Sequence, residues 1–323
     1  MTESIENILK SGFGIWRKNH NIALPFLFNL FASFLLVIIF IASLFLILAI
    51  PLTLDVQRIT NSSSNIAELM DVGSVLMVVL LFVIFVSLYI LVNSFFLAGA
   101  VGMARRAIET KRTSLNDMVN SGKRKFLDLF LAQLIISVSI ILLFLFLIGI
   151  PILIVTKVPV IAMIGSSLIE FGGNLLGLLV TVIAILFIAV PFAIVISDLG
   201  AIEGLKRGYR FFMDNKFPVM LLWIFVKYAS EFMGYAIFFI AAIAFSLGIL
   251  SVPIPSDISA ISSFALEPLL MSLSLVFIIA VVIAILVSLV ISVFVVSPLM
   301  TVWWSILYMD RVKSHQRKND RIY

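Results

Sequence analysis

The chain has 323 residues, 63% of them hydrophobic and only 12% charged, with a mean hydropathy of +1.24 and a net charge of +5. Soluble domains carry about a quarter charged residues, so apolar surface on this scale needs the lipid bilayer as its solvent. Cysteine is absent, which excludes disulfides, thiolate catalysis and Cys-ligated metals, and His20 and His315 lie in polar end segments that suit neither a metal site nor a buried base.

The first element is amphipathic: Ile5, Ile8, Leu9, Phe13 and Trp16 fall on one helical face together with Gly12. An apolar run over 23–50 follows. It is too long for a signal-peptide core and lacks a small-residue cleavage site, so it reads as a retained span. Further runs cover about 75–103, 129–155, 174–196, 219–251 and 269–307. Each exceeds the roughly 20 residues that cross about 30 Å of hydrocarbon, and each must be helical to satisfy its backbone in lipid. The fold class is therefore all-α, a polytopic membrane protein with six transmembrane helices.

The opening phrase recurs twice. Leu115, Met118, Val119 and Phe126 accompany Gly122, and Ile202, Leu205, Tyr209 and Phe212 accompany Gly208. An aromatic follows each glycine by four residues: Trp16, Phe126 and Phe212. A glycine on the apolar face lets a helix lie close to another backbone or to the membrane surface. The pattern predicts three repeats of an interfacial amphipathic helix plus a transmembrane hairpin, over about 1–103, 104–199 and 200–310. A basic tail, 311–323, ends the chain. Parallel repeats of this kind favour a pseudo-threefold bundle about the membrane normal. The second unit departs from the others by carrying Lys123 where they have Phe13 and Tyr209.

Lys and Arg set the orientation. They crowd the N-terminal segment, the segments 104–125 and 206–216, and the tail, whereas the opposite loops offer Arg58 and Lys157. This asymmetry predicts a cell-membrane protein with both termini cytoplasmic. The partner it implies is the bilayer itself, through anionic headgroups, with room for a membrane-protein partner or a second copy and no role for nucleic acid. Each outer loop opens at a proline (Pro51, Pro151, Pro253) and closes near Glu68, Glu170 or Glu267. These glutamates read either as a ring of outer carboxylates or as acids favoured by the dipole at the next span's N-terminus. Asn61-Ser62-Ser63 fits a glycosylation sequon in an outer loop.

Inside the spans, Gly173, Gly177, Thr181 and Ala184 form a small-residue stripe suited to close helix contact. Pro191 and Pro298 mark kinks, and Trp303, Trp304 and Tyr308 read as an interfacial anchor. Asn93 and Ser94 lie toward the cytoplasmic boundary, while Asp198 and Glu203 are placed to pair with Lys206, Arg207 and Arg210. The sharpest anomaly is Lys227 and Glu231, four residues apart on a face shared with Ser230 and Gly234. At about 1.5 Å per residue from Pro218 they lie roughly 14 and 20 Å deep. Each charge alone would cost at least about 2.5–3.5 kcal/mol there. The pair is either a transport pathway or a mutually neutralising couple that fixes helix rotation, and Gln133 and Ser137 on the third span could complete either.

No phosphate loop, dinucleotide fingerprint, zinc motif or nucleophile elbow is present, so no cofactor is expected. The run from Asp198 through Phe211, with Gly200, Glu203, Gly204, Lys206, Arg207, Gly208, Tyr209 and Arg210, is similar to a cytoplasmic signature of a loose group of multi-span proteins. That group comprises uncharacterised proteins of archaea and bacteria and the membrane domain fused to some glycerophosphodiester phosphodiesterases. Ile15 to Asn19, closely followed by a span, resembles the opening of such proteins. The resemblance implies a helical membrane module, sometimes beside a lipid-headgroup hydrolase, and it carries no catalytic residues to transfer. No phosphodiesterase domain is expected in this sequence. The expected function is a non-enzymatic module that organises or contacts lipid or a membrane partner through its amphipathic helices. The alternative is a transporter or channel using Lys227 and Glu231.

Overall fold

A computed structural model describes residues 4–54, 72–157, 162–250 and 266–319. Within them the chain is all-α. A short amphipathic helix, α1 (Ile5–Lys18), leads through a 3-10 turn at His20–Ala23 into α2 (Leu24–Leu54). Next come α3 (Val72–Thr110) and α4 (Leu115–Phe144), the latter extended by a π turn at Leu145–Gly149 into α5 (Ile150–Lys157). Then follow α6 (Ala162–Leu186), the short α7 (Val190–Ile196) and the second free-standing amphipathic helix, α8 (Ala201–Asp214). The chain ends with α9 (Lys216–Leu250), α10 (Leu266–Ile291), a π turn at Ser292–Val296 and α11 (Ser297–Asn319).

Among the described residues five helical stretches are long and apolar enough to cross a membrane: His20–Ile47, Val75–Thr110, Leu115–Leu153, Ser167–Ile196 and Val281–Ser314. They mark the chain as a multi-pass membrane protein. The fifth apolar run of the sequence is also helical, as α9.

The core lies at one end, which also carries the basic segments. The C-terminal part of α3, all of α7 and the first half of α11 pack on one another there. Ala98, Val101, Ala104, Ile194, Val302 and Leu307 are fully buried among them. Small side chains on α3 allow the close approach, since a Cβ on Gly102 would collide with the Ser121 side chain of α4. Around this centre sit α1, the first half of α4 and α8. At the other end the helices expose apolar rows, with Phe34, Phe45, Leu76, Phe146 and Phe232 all more than 60% exposed.

Two π turns precede prolines, and both freed carbonyls find a neighbour. Pro298 cannot donate to the carbonyl of Phe294, and Trp16 Nε1 donates to that oxygen instead, at 3.2 Å. Pro151 frees the carbonyl of Leu147, against which Gly172 of α6 lies so closely that a Cβ would collide with it. Pro191 ends α6 outright: a turn at 187–189 intervenes, and the proline sits in the first turn of α7.

Several expectations change here. The chain stays helical past Pro51 to Leu54 and past Pro151 to Lys157, so these prolines do not open loops. The stripe of Gly173 and Gly177 faces open space, and the close contact on α6 belongs to Gly172. Trp303, Trp304 and Tyr308 do not form an interfacial anchor; all three are buried in the core. Trp303 Nε1 donates to the Leu9 carbonyl at 3.1 Å, and Tyr308 Oη lies 2.8 Å from Ser197 Oγ.

Candidate functional site

The basic end is built from three amphipathic segments with a common grammar. Their first helical residues are Ile5, Leu115 and Ala201, each seven before its glycine. Ser4 caps the first through Asn7 N, and Ser114 caps the second in a full capping box with Asp117. Gly200 occupies the N-cap of the third and contributes no side chain. Seven residues past the glycine, Asn19 and Asn215 end α1 and α8. Each side-chain amide donates to the carbonyl four residues back, Ile15 and Phe211 respectively, both at 3.0 Å. The matching position on α4 is Leu129, fully buried, and there the helix runs on without a break. The second amphipathic segment is therefore the first half of a long helix rather than a separate interfacial helix.

Each glycine sits where a side chain would not fit. A Cβ on Gly12 would collide with the Trp303 indole of α11. On Gly122 it would lie 2.9 Å from the Phe95 ring of α3, and on Gly208 2.6 Å from Val190 Cγ2 and 3.0 Å from the Val190 backbone nitrogen on α7. So α1 docks on α11, α4 on α3 and α8 on α7. Trp16 and Phe212 are partly buried against the core. Phe126 meets the Phe95 ring at 6.3 Å between centroids. The buried face of α8 is Ala201, Gly204, Gly208 and Phe211, which leaves Ile202 and Tyr209 exposed, contrary to the apolar face drawn from sequence. Phe13 is likewise exposed on α1.

Lys125 is the residue sequence reasoning missed. It lies three residues past Gly122, where the other segments bury Ile15 and Phe211, and it is itself only 7% exposed. Its Nζ reaches Asp198 Oδ1 at 2.8 Å, Asp128 Oδ2 at 3.2 Å and the Leu199 carbonyl at 3.2 Å. Asp198 has a left-handed backbone (φ 59°) just past the C-terminus of α7, a conformation Asp tolerates better than most residues. The ammonium of Lys125, with Arg124 Nη2 3.8 Å away, holds the Asp198 carboxyl below its ordinary value. Asp198 thus pairs with α4 and not with the basic residues of α8. The available signal was a lysine at an apolar position of the repeated pattern.

Beside this network lies a cleft of about 230 Å³ between α3, α4 and α7, lined by Arg105, Arg106, Arg124, Asn120 and Ser121, with Gly102 and Val195 behind them. Arg105 is held from both sides, its Nε 3.0 Å from Glu109 Oε1 and its Nη1 3.1 Å from the Ile196 carbonyl.

The intramembrane candidates are dispersed. Lys227 Nζ lies 3.9 Å from Glu231 Oε1 and 5.0 Å from the centre of the Trp223 ring, and both charged side chains are nearly half exposed on α9. Gln133 accepts from Ser94 Oγ at 3.0 Å, across the α3–α4 contact, and Ser137 is partly buried on α4. Neither bonds to Lys227 or Glu231 among the described residues. Asn93 accepts from Asn29 at 3.2 Å. Ser230 and Gly234 fall on the same turns of α9, and an added Cβ on Gly234 would meet nothing. Glu170 is exposed within α6, eight residues from its start and too deep in the helix for an N-terminal dipole contact. Glu267 is the second residue of α10, while Glu68 and Asn61 lie outside the described residues. No group of three or more His, Asp or Glu side chains that could hold a metal occurs among the described residues.

No curated protein and no solved structure matches this chain. A family model does, over residues 38–296, which is most of the sequence. Its match takes in α3 through α10, and so the cleft, the lysine network and the α9 pair together. The chain belongs to the family described as domain of unknown function DUF7847.

Proposed function

We propose that this protein is a non-enzymatic membrane module of six spans, built from three repeats of an amphipathic helix and a hairpin, that contacts or organises lipid at its cytoplasmic face. The observation that carries the reading is the shared docking of α1, α4 and α8, each glycine against a different apolar helix end. Because α1 closes onto α11, the three contacts run round a ring, as a pseudo-threefold arrangement requires. The ring supports repeat boundaries near 103 and 199. The same end holds the Lys and Arg clusters, which supports a cytoplasmic placement of both termini. Outward from the docked faces, exposed Phe13, Ile202, Tyr209 and Phe217 sit among basic residues. That mixture suits the boundary between headgroups and acyl chains. The similarity of residues 198–211 to the membrane domain fused to some glycerophosphodiester phosphodiesterases points in the same direction.

Native mass spectrometry of protein purified in mild detergent tests this reading. Phospholipid retained in fixed stoichiometry is the expected result, with no headgroup turnover on incubation. A protein that emerges bare and shows no preference among added lipids would overturn it.

A second reading, a transporter or channel, rests on one observation: Lys227 and Glu231 stand in an apolar helix with no residue of another helix paired to them among the described residues. Solute flux in proteoliposomes that is lost in both Lys227→Ala and Glu231→Ala would favour it.

A further inference from the structure

We propose that the cleft between α3, α4 and α7 is a binding site for a single phosphate group, with a phospholipid headgroup as its natural source. The inference rests on the lipid-facing reading above and adds a defined site to it.

The cleft is lined by three guanidinium groups and two carboxylates, which leaves one net positive charge. Neither carboxylate is free. Glu109 holds Arg105, and Asp117 accepts from Ser114 N, Ser114 Oγ and Thr113 Oγ1. The donors tell the opposite story. The Arg106 and Asn120 side chains are exposed, and among the described residues Arg106 makes no ion pair and the Asn120 amide and Ser121 hydroxyl make no hydrogen bond. Arg105 spends one nitrogen on Glu109 and one on the Ile196 carbonyl, and keeps a third pointing nowhere assigned. Arg124 reaches Asp198 only at 3.8 Å. The cleft therefore gathers guanidinium nitrogens, an amide and a hydroxyl that keep bonding capacity to spare. Phosphate oxygens accept several such bonds at once, and the arginine fork matches them better than an ammonium would.

Size and level agree. About 230 Å³ is below the range of drug-sized ligand pockets and suits a headgroup. The rear wall, Gly102 and Val195, stands at the ends of two apolar runs of the sequence, 75–103 and 174–196. Headgroup phosphates lie at that level, and basic pockets between spans at the cytoplasmic face are known to take them.

The test uses the full chain in nanodiscs containing phosphatidylglycerol or phosphatidylcholine, with bound lipid counted by native mass spectrometry after release into detergent. Wild type should retain one phosphatidylglycerol in preference to phosphatidylcholine. The R106Q/R124Q variant should lose about tenfold in affinity, the loss expected for two charge-assisted contacts with partial rehydration. A control of equal charge change, K18Q/K206Q, should stay within about twofold of wild type, as expected for surface charge alone. Should R106Q/R124Q not fold, R106Q/N120L replaces it, because neither side chain has a partner to lose, and the same tenfold loss is expected. Competition with glycerol phosphate separates the two sources of the group. Displacement assigns recognition to the phosphate alone, and retention assigns it to the intact lipid. Cleft variants that bind like wild type, or a control that loses as much as they do, would overturn the site while leaving lipid contact elsewhere intact. Wild type with no retained lipid and no bound glycerol phosphate would overturn both the site and the reading beneath it.

Discussion

The two ends of this molecule obey different rules. At the basic end, side chains bond from one element to another: Trp303 to Leu9, Trp16 to Phe294, Asn19 to Lys111, Arg105 to Ile196, Lys125 to Asp198 and Ser197 to Tyr308. Toward the other end, polar side chains bond within their own helix. Ser87, Ser139, Thr181 and Ser246 all donate to the carbonyl four residues back. That is how a hydroxyl is satisfied when only lipid faces it. The contrast teaches that tertiary specificity resides in the cap, while the spans beyond it need only be apolar. Lipid solvates their exposed rows as well as another helix would, so little drives them together.

The strongest way to break that division is to overfill a glycine contact in the cap. Gly208→Ala places a Cβ against the backbone of Val190, which cannot move aside as a side chain could. A loss of about 1–3 kcal/mol is expected, and Gly208→Leu should not fold. Thermal unfolding in detergent, followed by tryptophan fluorescence, reads the effect. Gly177→Ala in α6 meets nothing and should be neutral or gain up to about 1 kcal/mol in helix propensity. If both substitutions cost the same, the cap is not where specificity lies.

The next effect in size comes from Lys125. Removing one member of a buried ion pair costs about 3–5 kcal/mol, but Asp198 is more than half exposed, so Lys125→Ala should cost nearer 1–2 kcal/mol. Lys125→Met should recover part of this, since the same position is apolar in α1 and α8. Acid offers an independent check. The Asp198 carboxyl titrates lower in the folded state than in the unfolded chain, so its contribution is full above the ordinary carboxylate range. It disappears as pH falls through the lowered folded value. Wild type should therefore lose stability on acidification by more than Lys125→Met does, and parallel pH profiles would remove the ion pair from the account.

A smaller effect should come from the helix stops. Asn215→Ala removes a bond to a carbonyl four residues back, at a cost of about 1 kcal/mol, and Asn19→Ala, which also loses the bond to the Lys111 carbonyl, should cost somewhat more. Leu129→Asn would offer the same cap to α4, but it buries an amide in the core, so it should cost more than either.

Much of the cap was legible in the sequence, and for definite reasons. Apolar length marks spans, and periodicity marks the amphipathic segments, because each depends only on neighbours along the chain. The residues that meet across the cap were not legible. Nothing near Asp198 announces Lys125, 73 positions earlier, and the basic run 123–125 reads as orientation until the structure buries its last member and leaves Lys123 and Arg124 outside. Trp303 and Tyr308 misled for the same reason. An aromatic at the end of a span can anchor in the interface or fill a core, and only the arrival of α1 and α8 decides. The candidate cleft was invisible because its arginines come from two helices and its rear wall includes a third.

The smallest stability effect should belong to the residues that stand out most in the sequence. Lys227 and Glu231 sit one helical turn apart at 3.9 Å, both nearly half exposed and away from the core. Where water of the detergent headgroup layer reaches the pair, its contribution is about 0.3–0.5 kcal/mol. In detergent, Lys227→Ala and Glu231→Ala should therefore each change stability by no more than about 0.5 kcal/mol, and the double variant should equal their sum. The outcome that breaks the comparison is strong coupling: two costly single variants and a double that recovers. Charges on one helix couple that strongly only where lipid, detergent or a second surface keeps water from both. The open end would then hold a water-excluded ion pair of its own, and the division between an ordered cap and merely apolar spans would have to be redrawn around α9.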